Sequence, residues 1–455
     1  MNSKRIHLVE RRQFLSATAT AFGALALANC GGGGSGSPPP VPTPTPTPTP
    51  PPIGYGTLQS DPAGLLDLPA GFSYRTLSAS NEVMSDGLRV PENFDGMGCF
   101  ALPNGKLALV RNHELSPGSN GGGTLLQPYD TTSAGVALPG GTTTLVLNQS
   151  TLAVEQQFRS LSGTIRNCSG GITPWGTWLT CEEDTTKAGN GVLRDHGFAF
   201  EVPASATGPV TPVPLTAMGR FRREAAVVDP ASGAVYMTED RDDGLLYRFQ
   251  PTTPGQLAGG GQLQALALTA GATTDSRNWT SIIISTGQSQ PVRWIDLAQP
   301  ESPNDDLRAR GLAGGALRFA RGEGIFMGAG ELYFVCTSGG AARLGQVFRL
   351  GLIAGSEQLQ LFFESTDAGT FYFGDNIAIA PDGQLIICED QPAAPVDNYL
   401  RGIARSGVSY PLARLRIQTE LAGACFTPDG RTMFLNIYNP GKTLAITGPW
   451  QHLGA

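Results

Sequence analysis

Carboxylates recur at fixed places along this chain, at the two ends of one pattern that appears six times. The copies read DGMGCFALPNGKLALVRNHE, NCSGGITPWGTWLTCEED, REAAVVDPASGAVYMTEDR, EGIFMGAGELYFVCTSGG, DNIAIAPDGQLIICED and AGACFTPDGRTMFLNIY. In a hairpin the start of the first strand lies beside the end of the second. Asp95 is therefore expected near Glu114, Glu224 near Glu239, and Asp375 near Glu389. Converging carboxylates repel one another unless a cation sits among them. Glu114, Glu182, Glu224, Glu239, Asp240, Glu323, Asp375 and Glu389 are thus candidate ligands, and oxygen donors suit a hard cation such as calcium. Cys181 stands directly before Glu182 and Glu183. A thiolate beside two carboxylates is electrostatically poor without a cation, and it suggests a second, more thiophilic metal such as iron. His113 closes a strand next to Glu114 and reads either as a ligand or as an ordinary surface histidine. In Arg321-Gly322-Glu323 the arginine can clamp an anionic oxygen substrate such as phosphate, or simply pair with Glu323.

The elements that must position these groups are short strands. Each copy crosses an apolar run, turns at a glycine (Gly105, Gly176, Gly233, Gly330, Gly383 and Gly430) and leaves along a β-rich segment. Repeated hairpins predict an all-β repeat architecture, and six copies predict a six-bladed β-propeller with the acids meeting at one rim of its channel.

Ahead of the repeats lies a segment of another character. Lys4 and Arg5 precede Arg11-Arg12-Gln13-Phe14-Leu15 and an Ala-rich apolar stretch that ends near Ala28. Paired arginines before a short apolar run read as a twin-arginine export signal over residues 1–29. The run is shorter than the roughly 20 residues of a membrane span. Leu27-Ala28-Asn29-Cys30 resembles a lipidation box with Cys30 as the acceptor, and Ala26-Leu27-Ala28 offers ordinary cleavage instead. Residues 30–52 form a Gly-, Pro- and Thr-rich spacer of polyproline type. Residues 53–455 then read as one propeller domain. The expected location is the periplasm or cell surface, with a membrane tether if Cys30 carries lipid. A net charge of −7 argues against nonspecific nucleic-acid binding, and a monomer is expected. The six remaining cysteines fall inside the repeats with no spacing that fixes a pairing.

The segments VRNHE, NCSGGITPWGTWLTCEE, GRFRREAA, VYMTED, RGEGI and FTPDGRTMFLNI resemble the PhoX-type alkaline phosphatases from about Leu58 to Trp450. The resemblance implies a six-bladed propeller holding an iron–calcium cluster, with ferric iron and a bridging oxo group. It implies Cys181 and Glu323 as iron ligands, and Glu224 with acids of the NHE, CEE and TED blocks as ligands of iron or calcium. Arg321 would contact the oxygens of a small phosphorylated substrate, a phosphate monoester. Arg223 stands where many relatives carry His, and TED where relatives tend to carry two Asp. Other readings of the same acids are a propeller phosphodiesterase or lactonase, or a non-catalytic surface propeller braced by calcium.

Overall fold

The computed structural model describes residues 53–269, 273–328, 330–353, 355–392 and 394–450. The leader, its twin arginines and Cys30 lie outside the described residues. The fold is all-β and propeller-like, with one short α-helix, Leu307–Ala313, among the described residues.

Each sequence repeat forms an antiparallel hairpin. The first strands are Phe94–Leu102, Asn167–Ile172, Arg223–Val228, Gly322–Gly328, Gly374–Ile379 and Leu421–Phe426. All six turn glycines have positive φ, which a residue with a Cβ adopts only under strain. The six first strands touch one another in cyclic order, the last against the first, and so enclose a central axis. Further strands pair outward, giving sheets of three, four, four and six strands and one of ten. The ten-stranded sheet contains the third and fourth hairpins, joined where Ser289–Asp296 pairs with Gln358–Glu364. The sheets therefore do not separate into six independent blades. Ser73–Ala79 completes the sheet of the sixth hairpin by pairing with Lys442–Thr447, and Leu66–Pro69 pairs with Ser409–Leu415.

The core lies between neighbouring sheets. Leu179, Cys181, Met237 and Phe249 pack in one such layer, and Phe319, Phe334 and Phe348 pack between the two halves of the ten-stranded sheet. Side chains of a strand alternate between the two faces of its sheet, and both faces are covered here. Around the axis the backbones themselves converge. A Cβ added to Gly96 would lie 2.6 Å from the Ser169 Cα, and one on Gly324 2.7 Å from the Asp375 carbonyl oxygen. Only glycine fits where adjacent strands approach this closely.

Candidate metal centre and anion site

One register recurs in all six hairpins. Phe94 pairs with His113, Asn167 with Glu182, Arg223 with Glu239, Gly322 with Cys336, Gly374 with Glu389 and Leu421 with Ile437. Each first strand then bulges within its opening residues. The residue after the first partner starts the axial row: Asp95, Cys168, Glu224, Glu323 and Asp375. The residue just beyond the second strand follows it: Glu114, Glu183, Asp240 and Asp390. Hydrogen bonds between hairpins fix this row. Asn436 donates to the Asp95 carbonyl, Asn112 to the carbonyls of Cys168 and Ser169, Thr238 to that of Glu323, and Thr337 to that of Gly374.

The axial groups form three overlapping sets, in each of which the donor atoms lie within 4.8 Å of one another. They are Asp95–Glu114–Cys168, Cys168–Glu183–Glu224 and Glu224–Glu323–Asp375. The Cys168 thiol is 3.2 Å from Glu183 Oε2. Among the described residues Asp95 Oδ1 is buried without a hydrogen-bond partner. Burial first, and neighbouring carboxylates second, push the Asp95 and Glu224 carboxyls well above the usual range. Burial and the Asp240 carboxylate do the same to Glu323. Burial and Asp390 push Asp375 up to about 8. Buried carboxyls that resist ionisation, an orphaned oxygen and a thiol together fit a cation-binding site: a bound cation supplies positive charge beyond that of Arg166 and Arg321. Behind the row lies a cavity of about 580 Å³ with an apolar wall that includes Met97, Ile172, Val227, Phe326 and Ile377.

The structure thus brings together Glu114, Glu224, Glu323 and Asp375 from among the sequence candidates, and sets Asp240 beside them. Four candidates lie elsewhere. Cys181 is on a second strand, one strand away from the axis, in the apolar layer with Leu179 and Met237; burial raises its thiol to about 12. Glu182 accepts from the backbone N–H groups of Ile165, Gly197 and Phe198 and sits 2.6 Å from His196 Nδ1. Glu239 pairs with Arg308 and accepts the Tyr247 hydroxyl. Glu389 pairs with Arg401 and accepts from the Tyr372 and Tyr399 N–H groups. Each of these acids belongs to the last residue of its strand, whose side chain faces a sheet surface. The next residue, past the strand end, turns to the axis. Sequence reasoning passed over Cys168 and Asp390 as ligands and named Glu183 only within the CEE block. The available signal was the doublet: in CEE, TED and CED it is the final residue that reaches the axis.

His113 is enclosed, with Nδ1 on the Glu92 carbonyl and Nε2 on the Thr143 hydroxyl; burial lowers its pKa well below the usual value, so the ring is neutral. Arg223 points into the core, donates to the Met218 and Gly219 carbonyls and stacks over Phe221. Arg321 does face the acids. Its Nε donates to Asp240 Oδ1 at 2.8 Å and its Nη2 to Glu323 Oε1 at 2.6 Å. Arg166 bridges Glu114 and Glu183 in the same manner.

Comparison with known proteins adds to this geometry. Pseudomonas fluorescens PhoX, solved with vanadate as a transition-state analogue, matches with a TM-score of 0.68 at 18% identity, over 87% of this chain and 98% of that one. A gluconolactonase from Xanthomonas campestris matches with a TM-score of 0.36 at 12% identity, over 81% and 92%. A protein of unknown function from Dyadobacter fermentans gives 0.43 at 8% identity, over 83% and 99%. No functionally curated protein matches the sequence. The family profile of alkaline phosphatase PhoX matches residues 53–154 and 131–441, and the chain belongs to that family.

Proposed function

We propose that this protein is an exported phosphatase that hydrolyses small phosphate monoesters at an axial cluster of calcium and iron. The observation that carries the reading is the row of buried acids with Cys168 inside it and Arg321 beside it, in a chain of the PhoX family. Asp95, Glu114, Glu183, Glu224, Glu323 and Asp375 would hold the cations through oxygen, with Cys168 the thiolate ligand that favours iron. When bound, such cations polarise a phosphoryl group and stabilise the charge that develops on it. The vanadate complex of the Pseudomonas fluorescens relative supports a phosphoryl-transfer reaction of this kind.

The chain's own contribution is to place and orient. Arg321 uses Nε and Nη2 on Asp240 and Glu323, which leaves Nη1 with no partner among the described residues. That end of the fork is free for a phosphoryl oxygen, and the two ion pairs hold it in position before substrate arrives. We read the architecture as six blades, since one register and one bulge recur six times around a closed ring; the ten-stranded sheet is then two blades joined at their outer strands. Export through the Arg11-Arg12 signal, a spacer over residues 30–52, lipid on Cys30 and a monomeric state complete the proposal.

The test is hydrolysis of p-nitrophenyl phosphate by purified protein, with elemental analysis of the same sample. Monoesterase activity together with bound calcium and iron is expected. A fully metal-loaded protein without such activity from neutral to alkaline pH overturns the reading.

A further inference from the structure

Three arginines share one position in the repeat. Arg166, Arg222 and Arg321 each stand immediately before a first strand, two residues ahead of Cys168, Glu224 and Glu323. The other three hairpins carry Asn93, Phe373 and Glu420 there. The cationic side chains therefore lie on one arc of the rim, on three successive hairpins. Two of them are committed. Arg166 holds Glu114 and Glu183, and Arg321 holds Asp240 and Glu323. Arg222 is not. Among the described residues its guanidinium meets an acid only at 3.9 Å, Nη1 to Glu183 Oε1, beyond hydrogen-bond range. Its side chain is 39% exposed. Its backbone is nevertheless fixed, because the Asp240 N–H donates to the Arg222 carbonyl at 3.2 Å.

An anchored backbone, a free planar fork and a seat beside the buried acids are what an oxyanion ligand requires. We propose that Arg222 is a second anion clamp, gripping the non-bridging oxygens of the substrate phosphoryl group from the hairpin next to that of Arg321. This rests on the phosphatase reading and extends it to a substrate group held by two guanidiniums on one arc of the rim. Arg166, doubly paired to buried acids, is by contrast a strut of the site. Since the Arg222 guanidinium makes no hydrogen bond among the described residues before substrate arrives, its loss acts on binding.

Arg222→Gln and Arg222→Lys, purified with their cations, test this. Arg222→Gln is expected to keep wild-type metal content and melting temperature. Its KM for p-nitrophenyl phosphate should rise, and its calorimetric affinity for inorganic phosphate should fall, both by roughly ten- to a hundredfold. Arg222→Lys should recover part of each. Wild-type KM and phosphate affinity in Arg222→Gln, with the wild type active, overturn the clamp and leave the phosphatase reading standing. Loss of cations or a lower melting temperature in that variant also overturns it, because Arg222 then supports Glu183 instead. A wild type that neither hydrolyses the ester nor binds phosphate removes both.

Discussion

At Cys168 a buried thiol shares its surroundings with Asp95, Glu114, Glu183 and Glu224, whereas Cys181 is packed among apolar side chains. The two cysteines therefore answer differently to substitution. Cys168→Ala should lose iron and any thiolate-to-iron charge-transfer colour, read by elemental analysis and visible absorption. Cys181→Ala should keep both and lose about 1 kcal/mol of stability through the small void it leaves. Equal iron in Cys168→Ala and wild type would falsify the thiolate assignment. Asp375 makes a second prediction. Its carboxyl is pushed up to about 8, far above the ordinary value of about 4. A folded state that holds the proton more tightly than the unfolded state loses stability as pH rises between those two values, and bears the whole cost above about 8. A bound cation offsets that cost. Chelation should thus lower the melting temperature more at pH 9 than at pH 5, and an equal drop at both would count against cation binding by these acids. Arg321→Ala should slow turnover by roughly 30- to 1,000-fold, measured as kcat for p-nitrophenyl phosphate.

Strand ends decide which acids reach the axis. The hairpin pattern, its turn glycines and the convergence of acids were legible in the sequence, because apolar alternation and glycine turns are local signals. Which member of each acidic doublet faces inward was not. That depends on where pairing stops, and on a bulge that resets alternation at the start of every first strand. Gly324 lies in one of these bulges against the backbone of the next hairpin. Gly324→Val should cost about 1–3 kcal/mol by overpacking and spread the axial acids. Thermal melting and cation titration check this, and unchanged values in both would contradict the close approach. The inward turn of Glu183 also leaves Glu182 to hold His196, which lies between Glu182 and Asp130. Burial works against the charged ring, but these two carboxylates outweigh it and raise its pKa. The stabilisation is fully present below about 6.5 and is lost as pH rises through the raised folded-state value. His196→Gln should cost about 3–5 kcal/mol at pH 6, with a smaller penalty at alkaline pH. A penalty independent of pH would show that His196 is held as a neutral ring.

Ring closure belongs to the whole molecule. Ser73–Ala79 reaches the sheet of the sixth hairpin from the other end of the described chain, and Leu66–Pro69 covers its neighbour. Removing residues 53–79 should expose unpaired sheet edges and yield an aggregating or proteolysed protein. A monomeric, protease-resistant product would show that closure does not depend on these strands.

The sequence by itself determined the all-β repeat, the six hairpins, the clustering of acids and the family, since periodicity, turn chemistry and motif blocks are written along the chain. Only the tertiary structure decided that Cys168 rather than Cys181 stands among the acids, that Glu182, Glu239 and Glu389 hold groups of their own sheets and of adjoining loops and the helix, and that Arg222 faces the site without a close partner among the described residues. The physical reason is common to all three. A side chain one residue further along a strand points to the opposite face, and which face meets the axis is settled by register, bulge and the packing of one sheet on the next.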